Sequence, residues 1–445
     1  MSGVSKNEFL HGDIRKGLLK LALPLMLLSL VNTLYNIVDT FWIGKMGELQ
    51  VGAVSLIGPI MSCGNAFIFG LSAAGIAMIS KAIGSGNREK ANRYATHLFF
   101  ISIVFGVIIG IICLLFAHPI LNWLETPIEI YQDAYLYLFG ISFDFVFLFI
   151  LNIFQTIRRA DGDTKVAVSL NIGAAILNTI LDPIFIFILD LGVLGAALAT
   201  VLSKILVLPF VLYILFMDKE HVRCSLNEKF DISIIKETIK IGVPASLGSF
   251  LSSFGFVLMN KAVVNYGAIT MSAYGLGNRI TDLFYIPVLA FGGAIAPFIG
   301  QNLGAKNIQR CKECYKETTI LLMICSVLVI SIGFVTCKYL VYFFVSDASV
   351  ELLNQTLEYC YYVIFTIFCV GWFENIFGVF NATGKTNIIL YLSTFRLWGI
   401  RIPLIYLFQY FTDLGPTGIW LSMVLSNAIT CIAAQIIYNK DKWYA

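Results

Sequence analysis

Residues 19–47 read LKLALPLMLLSLVNTLYNIVDTFWIGKMG, and residues 239–267 read IKIGVPASLGSFLSSFGFVLMNKAVVNYG. Three kinds of residue recur between the two stretches at an offset of 220: Lys20 with Lys240, Pro24 with Pro244, and Gly47 with Gly267. Both stretches are long and apolar enough to cross a hydrocarbon core of about 30 Å. The chain therefore carries the same kind of membrane-spanning element twice.

The correspondence continues along the chain in the same order. IGSGN (83–87) aligns with LGAKN (303–307), and ADGDTK (160–165) aligns with ATGKTN (382–387). LGVLGAALATVLS (191–203) aligns with LGPTGIWLSMVLS (414–426), at an offset that has drifted from 220 to 223. Small loop insertions produce such a drift, so the chain consists of two related halves.

Composition indicates a helical membrane protein. The 445 residues are 58% hydrophobic and 13% charged, whereas soluble domains have about 25% charged residues. Because lipid offers no hydrogen bonds to the backbone, a membrane span must be a helix or part of a closed barrel. The apolar runs, of roughly 20–30 residues, are too long for barrel strands, which alternate over about 10 residues. We predict an all-α integral membrane protein.

Reading the apolar runs between polar breaks predicts twelve spans. Residues 1–16 are polar and lack the pattern of a cleaved signal, so the first span is expected to remain in the mature protein. The predicted spans are 17–43, 51–80, 94–117, 131–157, 166–189, 193–217, 237–260, 269–300, 317–345, 350–381, 386–410 and 415–438.

The basic residues predict the orientation of these spans. The termini and the loops on their side carry 23 Lys and Arg residues, against 3 on the other side (Lys45, Lys261 and Lys338). Since cytoplasmic loops hold the excess of Lys and Arg, we expect a multi-pass protein of the plasma (inner) membrane with both termini in the cytoplasm. The net charge of +3 is then a sign of topology, and we expect no nucleic-acid partner.

The repeat also predicts the domains. We expect an N-terminal lobe of spans 1–6 (1–217), a cytoplasmic linker (218–236) and a C-terminal lobe of spans 7–12 (237–445). Six spans per half make the two lobes parallel, related by a pseudo-two-fold axis along the membrane normal. Parallel halves with a site near their interface are a common transporter plan.

Ionisable residues within the spans are candidates for function, because each costs roughly 2.5–3.5 kcal/mol at the bilayer centre. They are Asp39, Asp144, Asp182, Lys204, Arg279, Asp282, Glu374, Arg396 and Arg401. Asp39, Asp182 and Thr200 are expected at the same depth, in the outer part of spans 1, 5 and 6. Asn178 precedes Asp182 by four residues and shares its helix face, as Asn36 precedes Asp39 by three.

This oxygen-rich group suits either of two ligands. A buried carboxylate beside a second one can take up a proton reversibly. Two carboxylates with neutral oxygens also suit a hard cation such as Na⁺, and Pro183 frees the carbonyl oxygen of Thr179 nearby. The alternative is that Asp39 and Asp182 only join helices, through Asn178 or Tyr35.

With its repeated halves, twelve spans, Gly-rich loops after spans 2 and 8, and the GDT and GKT loops after spans 4 and 10, the chain resembles the MATE (multidrug and toxic compound extrusion) antiporters over its whole length. The resemblance implies two lobes in a V around a central cavity. It also implies export of amphipathic, often cationic, compounds against inward H⁺ or Na⁺. Because span 7 has no acid between Glu237 and Lys261, the chain is closer to the DinF-like than to the NorM-like branch.

The resemblance further implies which residues couple the ion. Asp39, Asn178, Asp182 and Thr200 stand at the places of the family's N-terminal cation site, with Tyr35, Asn36 and Gln155 as neighbours of the ion or the substrate. In the second half, Met259 aligns with Asp39 and Ile402 with Asp182. We therefore expect a single ion site.

The other intramembrane charges leave alternatives open. Glu374 serves either a cationic substrate or a second ion, or else forms a buried helix–helix hydrogen bond. Arg396 and Arg401 either form structural pairs, with Glu374 among the candidates, or contact substrate. Arg279 and Asp282 are three residues apart and are expected to neutralise each other, and Lys204 is long enough to reach Asp144. Cys311 and Cys314 have metal-like spacing but no second pair, so we expect no metal.

We accordingly expect a cation-coupled antiporter that works by alternating access, with Pro24 as the hinge of span 1. The alternatives are a flippase of lipid-linked saccharides or lipid precursors and, from another class, a channel or receptor. Since no nucleophile–base set is present in the spans, an enzyme is not expected. We expect no cofactor beyond the coupling ion, H⁺ or Na⁺, and the expected partners are a small amphipathic organic substrate and membrane lipid. The protein is expected to be a monomer.

Overall fold

The structure is a computed structural model that describes residues 6–344 and 349–444. Within these ranges, long helices follow one another with short connections. Spans 1–6 are Ile14–Met46, Glu48–Gly84, Arg88–Leu115, Ile128–Ser142 with Asp144–Asp161, Thr164–Pro183 with Ile184–Ile188, and Gly192–Met217. Spans 7–12 are Ile232–Val264, Ala268–Gly304, Ile308–Phe344, Val350–Thr383, Thr386–Phe411 and Pro416–Lys440. Short helices lie at Lys6–His11 and Ala117–Trp123.

The predicted twelve spans are confirmed. Eleven helices are long and apolar enough to cross a membrane, and the twelfth span is a pair of helices, Ile128–Ser142 and Asp144–Asp161, bent by 46°. The predicted end of span 9, residue 345, lies outside the described residues.

Several helices begin earlier than the apolar runs that predicted them. Span 3 begins at Arg88 rather than 94, because the Asn87 side chain accepts the Lys90 amide at 2.9 Å. Span 9 begins at Ile308 rather than 317, and the aligned Asn307 caps it by accepting the Arg310 amide at 3.1 Å. A capped polar turn thus precedes the apolar part of each helix, which explains the repeated IGSGN and LGAKN motifs.

The second repeated loop motif has a backbone reason. Gly162 (φ 97°) and Gly384 (φ 77°) end spans 4 and 10 in the left-handed conformation. Glycine adopts this conformation without the steric cost of a Cβ atom. The turns ADGDTK and ATGKTN therefore reverse the chain in the same way in both halves.

The bend in span 4 lies where span 3 approaches closely. The Ser142 hydroxyl donates to the Leu138 carbonyl at 2.5 Å, and such back-bonding bends helices. Gly106 and Gly110 of span 3 pack at this point, where a Cβ would lie 2.8 Å from Val146 Cα and 2.7 Å from Ser142 O respectively. The bend brings Asp144 to the first turn of the second helix.

Spans 5 and 11 both contain π-helical turns, at Ile184–Ile188 after Pro183 and at Phe395–Arg401 before Pro403. The two prolines align at the offset of 220. Proline removes an amide from the helical ladder, and π-turns of this kind often occur at functional sites.

The chain divides into two compact units, whose boundaries differ from the predicted lobes in two segments. The N-terminal unit contains Leu27–Ser246, and the C-terminal unit contains Asn7–Met26 with the chain from Leu247 onward. Thus the first part of span 1 belongs with the second half, and the first part of span 7 belongs with the first half. Apolar periodicity identified the spans but carries no information on which helix each turn packs against.

Specific contacts fix these exchanged segments. In the C-terminal unit, Phe9 packs on Phe298 with ring centroids 4.4 Å apart, and Arg310 donates to the carbonyls of Phe9 (2.9 Å) and Gly12. In the N-terminal unit, spans 2 and 7 meet at glycines, because a Cβ at Gly70 would lie 2.4 Å from the Gly242 carbonyl oxygen.

Candidate functional site

A buried polar cluster lies in the N-terminal unit, where spans 1, 5 and 6 meet. We call Tyr35, Asp39, Asn178, Asp182 and Thr200 the acidic cluster. Asp182 is fully buried, and Asn178 and Thr200 are 1% and 6% exposed. The structure thus brings together residues that the sequence places at one depth.

Hydrogen bonds join the three spans within the acidic cluster. The Asn178 amide nitrogen donates to Asp182 Oδ1 at 3.1 Å and to Thr200 Oγ1 at 3.3 Å. The Thr200 hydroxyl also lies 3.3 Å from the Tyr35 hydroxyl. The i to i+4 relation of Asn178 and Asp182 is therefore a direct contact, as their spacing predicted.

Two oxygens in this cluster are buried without a hydrogen-bond partner, Asp182 Oδ2 and Asn178 Oδ1. A buried polar group without a partner costs about 1–3 kcal/mol. Both are acceptors on adjacent turns of one helix face, so a proton or a small cation would supply what the protein itself does not. The arrangement can therefore hold a positive charge.

Asp39 completes the cluster through its charge rather than through a hydrogen bond. Its side chain is partly buried, and it lies close enough to Asp182 and Lys204 to interact electrostatically with both. Two carboxylates in a low-dielectric site repel each other unless a positive charge lies between or on them.

Tyr137 of span 4 belongs to the same site, although the sequence analysis did not single it out. It lies close to Asp39, Asp144 and Asp182, and it packs beside the buried Ile43, Ile186 and Ala196. By the predicted topology span 4 starts at the outer side, and Tyr137 is nine residues after its first residue, Ile128. The depth argument applied to Asp39 would have placed Tyr137 at the same level, but not on the same face.

The possible contact between Lys204 and Asp144 is present. Lys204 Nζ donates to Asp144 Oδ2 at 2.5 Å, and the Asp144 side chain is 1% exposed. Lys204 follows Thr200 by one helical turn on the same face of span 6. A buried ion pair thus adjoins the acidic cluster.

Two of the predicted neighbours do not join the acidic cluster by hydrogen bonds in the part of the chain that the structure describes. Gln155 instead donates to Asn171 Oδ1 at 3.1 Å. Asn36 is exposed, and its backbone carbonyl accepts the Thr40 hydroxyl at 2.7 Å. The spacing of Asn36 from Asp39 put it near the cluster in sequence, but its side chain lies on an exposed face.

The C-terminal unit has a fixed cation where the repeat would place the ion site. Arg401 precedes Ile402, the residue aligned with Asp182, and is 4% exposed. Its Nε donates to Ser426 Oγ and its Nη2 to Asn427 Oδ1, both at 2.9 Å. The expected pair of Arg401 with Glu374 is therefore replaced by hydrogen bonds to span 12.

Within residues 6–344 and 349–444, no ion pair closer than 4.0 Å involves the other intramembrane charges of the C-terminal unit, which are Arg279, Asp282, Glu374 and Arg396. Arg396 and Glu374 interact electrostatically, and the Arg396 guanidinium lies 4.9 Å from the centroid of the Phe373 ring. The expected ion pair of Arg279 with Asp282 is not among the contacts within 4.0 Å, so three residues of spacing did not bring the two side chains together.

The described ranges hold no group of three or more His, Cys, Asp or Glu side chains arranged for a metal ion. Cys311 and Cys314 are buried in span 9, where Cys311 Sγ lies 3.7 Å from the Ile299 carbonyl oxygen. These thiols pack as small apolar groups. A Na⁺ ion in the acidic cluster would have amide, hydroxyl and carboxylate oxygens as ligands.

Pro24 lies inside the continuous helix Ile14–Met46, three residues before Leu27, where the C-terminal unit gives way to the N-terminal unit. Pro244 has the same relation to the change of unit at Leu247 in span 7. Each proline removes one hydrogen bond from its helix.

Taken together, the repeated six-span halves and the buried acidic cluster in the N-terminal half define a two-repeat helical membrane transporter. The profile of the MatE family matches residues 24–184 and 244–407. The two matches begin at the aligned prolines, and together they cover more than half of the chain. The chain belongs to the MatE family.

Bacterial relatives of full length are similar to the chain. The "Probable multidrug resistance protein YpnP" of Bacillus subtilis (strain 168) is 27% identical over 447 residues, which cover 98% of each chain. The "Multidrug export protein MepA" of Staphylococcus aureus (strain NCTC 8325 / PS 47) is 27% identical over 441 residues, or 96% of this chain and 94% of the relative. Both are named for transport or resistance rather than catalysis, and neither name favours a flippase.

Solved structures have the same fold. "Crystal structure of MATE in complex with MaL6" superposes with a TM-score of 0.92 at 25% identity, covering 98% of this chain and 97% of the other. A second, described as the "Outward-facing conformation of a multidrug resistance MATE family transporter of the MOP superfamily", has a TM-score of 0.89 at 25% identity with the same coverage. The predicted fold class, an all-α membrane protein of MATE architecture, is confirmed.

Proposed function

We propose that the protein is a cation-coupled antiporter that exports amphipathic, cationic organic compounds from the cytoplasm across the plasma membrane. The coupling ion is H⁺ or Na⁺. The observation that carries the proposal is the pair of buried oxygens without partners, Asp182 Oδ2 and Asn178 Oδ1, beside the second carboxylate of Asp39. The multidrug names of the relatives support the substrate class.

The acidic cluster provides the coupling. When no cation is bound, Asp39 and Asp182 repel each other in a site that excludes water. A proton or Na⁺ that enters from outside removes this repulsion and lets spans 1, 5 and 6 pack more closely. Because binding effects are reciprocal, a substrate that favours the empty site must also expel the cation.

Pro24 is the proposed hinge at which span 1 bends when the acidic cluster binds or releases a cation. It lies beside the change of unit at Leu27, and the carbonyl of Lys20 lacks its usual helical donor. Because this hydrogen bond is already absent, the helix can bend at Pro24 without breaking it. We place both termini in the cytoplasm from the excess of basic residues on that side, and we keep the DinF-like assignment because span 7 lacks an acid.

The driving force is sufficient for export against a gradient. One elementary charge that moves through about 100 mV releases about 2.3 kcal/mol, which sustains a concentration ratio of about fiftyfold. The flippase alternative would favour a cationic site, whereas this site in the N-terminal unit places three carboxylates, Asp39, Asp144 and Asp182, near the single ammonium of Lys204.

The experiment uses everted membrane vesicles with an acid interior and records loss of the pH gradient when tetraphenylphosphonium is added, with and without Na⁺. Wild type is expected to dissipate the gradient, or to drive Na⁺-dependent exchange, and Asp39→Asn to do neither. Asp190→Asn is the matched control, because Asp190 is an exposed loop carboxylate with φ 51°, a conformation that asparagine tolerates. Equal responses of wild type and Asp39→Asn would contradict the proposal.

A further inference from the structure

The ion pair of Asp144 and Lys204 has features that a purely structural pair does not need. Asp144 Oδ2 accepts the Lys204 ammonium at 2.5 Å, while Asp144 Oδ1 is buried without a partner. An ammonium has three donors, and within the described residues Lys204 makes this single hydrogen bond. Both partners thus retain unused hydrogen-bonding capacity inside the protein.

Lys204 also lies within electrostatic range of the coupling site. It interacts with Asp39 of span 1, and it lies one turn from Thr200 on the same face of span 6. Spans 4 and 5 pack against span 6. Lys204 faces Asp144 on span 4 and Asp39 on span 1. Around these two carboxylates lie the other titratable groups of the site, which are Tyr137 on span 4, Asp182 on span 5 and Tyr35 on span 1.

Counting charges shows what the lysine does. Three carboxylates, Asp39, Asp144 and Asp182, lie against one ammonium. Without Lys204, a neutral site would require three bound positive charges, whereas with it two are enough. A flexible four-carbon side chain can also turn its free donors toward Asp39 when the site is empty.

The second half lacks this pair. Asp144 aligns with Thr366 at an offset of 222, and the Thr366 hydroxyl lies 2.8 Å from that of Tyr285. Lys204 aligns with Asn427 at an offset of 223, and Asn427 accepts a hydrogen bond from Arg401. The lysine–aspartate pair is therefore confined to the half that carries the acidic cluster.

We propose that the ammonium of Lys204 competes with the coupling ion for Asp39. Asp144 sets the strength of this competition, because its ion pair with Lys204 keeps the ammonium away from Asp39. Lys204 is thus a positioning residue that tunes the cation affinity of the acidic cluster. This inference rests on the proposed antiport function.

The two residues predict shifts of opposite sign. Lys204→Gln removes the competing charge, so the coupling cation binds more tightly. Asp144→Asn frees the ammonium for Asp39, so the cation binds more weakly. A unit charge at this range is expected to change the half-maximal Na⁺ concentration about tenfold, or the half-maximal pH by about one unit.

The experiment measures tetraphenylphosphonium efflux from proteoliposomes as a function of Na⁺ concentration and of pH. For Lys204→Gln, the half-maximal Na⁺ concentration falls or the half-maximal pH rises. For Asp144→Asn, both move the other way. A pair that only joins spans 4 and 6 would lower the amount of folded protein in both variants without moving the cation dependence in opposite directions, and that result would overturn the inference.

Two double variants keep the test decisive if a single variant does not fold. Asp144→Asn with Lys204→Gln has the net charge of wild type, whereas Asp144→Asn with Lys204→Arg has one more positive charge. We expect the second to require about tenfold more Na⁺, or about one unit lower pH, than the first. Equal cation dependence of the two would overturn the inference.

Wild type and Asp39→Asn in the same assay separate the two proposals. If wild type shows no cation dependence, the antiport function fails and this inference with it. If wild type depends on the cation and Asp39→Asn does not, while the charge variants show no opposite shifts, the inference alone fails.

Discussion

At the scale of single residues, the Thr200 hydroxyl connects span 1 to span 5. It lies 3.3 Å from both Tyr35 Oη and Asn178 Nδ2. Thr200→Val keeps the shape of the side chain and removes both contacts, so we expect cation affinity to fall by about 1–2 kcal/mol, or about five- to thirtyfold. The Na⁺ or pH dependence of substrate efflux measures this change.

Thr336→Val is the matched control for this prediction. Among the described residues its hydroxyl bonds only its own helix, at the Ile332 carbonyl, at a half-buried position of span 9. We expect its cation dependence to equal that of wild type. If Thr200→Val behaved like Thr336→Val, the hydroxyl of Thr200 would have no part in the cation site.

The sequence predicted which site residues share a face of one helix, but it did not predict which residues of different helices face each other. The four-residue spacing of Asn178 and Asp182 predicted their contact, since that spacing fixes a helix face. Tyr137 was missed because its depth can be counted along span 4 but its direction cannot. Asn36 is three residues from Asp39, but its side chain is exposed, because this spacing says nothing about which face of the helix is buried.

At the scale of helices, glycines decide where spans pack closely. A Cβ at Gly70 would lie 2.0 Å from Ser246 Oγ and 2.4 Å from Gly242 O, on span 7. Gly70→Ala is therefore expected to destabilise the protein by about 1–3 kcal/mol through overpacking. The midpoint of thermal unfolding of the purified protein measures the loss.

Gly58→Ala in the same helix provides the control. No atom lies within 4 Å of a Cβ built at Gly58, and alanine favours a helix over glycine by about 1 kcal/mol. We expect an unchanged or higher midpoint. An equal decrease in both variants would show that the close approach of spans 2 and 7 does not limit stability.

Helix type and number could be predicted from the sequence, but local geometry could not. Apolar runs located all twelve spans, because a long apolar segment in lipid must form a helix to satisfy its backbone hydrogen bonds. The 46° bend of span 4 was not predicted, since it contains no proline and arises from Ser142 and from the glycines of another helix. The earlier starts of spans 3 and 9 come from caps at Asn87 and Asn307, which lie outside the apolar runs.

At the scale of the whole molecule, the linker is held to the first half by charged contacts that predict a pH dependence. Hydrogen bonds from the Ser233 hydroxyl and amide, helped by the charge of Arg93, hold the pKa of the Asp231 carboxyl below its usual value of 3.8. A group with a lowered pKa contributes stability above its usual pKa and loses it as the pH falls through the lowered value. The linker should therefore loosen only in strong acid.

Hydrogen exchange of linker amides, corrected for the intrinsic rate at each pH, tests this. We expect the Ser225 amide, which donates to Thr96 Oγ1 at 3.0 Å, to stay protected at neutral pH and to lose protection below about pH 4. Asp231→Asn should reduce protection at pH 7 and flatten the pH dependence. Unchanged protection in this variant would exclude the carboxylate as the anchor.

The repeat predicted two halves, but it did not predict that the first segment of each half packs with the other half. Residues 7–26 pack with the second half and residues 232–246 with the first. The alignment shows that the two segments correspond to each other. It cannot show whether each segment packs on its own half or on the other half. Contacts such as Phe9 with Phe298, far apart in sequence, make the difference.

The central claim is that cation binding at Asp39 and Asp182 drives substrate uphill. The direct test reconstitutes the purified protein in liposomes that contain tetraphenylphosphonium at equal concentrations inside and outside, and then imposes an inward gradient of H⁺ or Na⁺. Wild type should lower the internal concentration below the external one, and Asp39→Asn and Asp182→Asn should leave the two equal. Uphill export by both variants at the wild-type rate would contradict the account, as would a wild type that never exceeds equilibration.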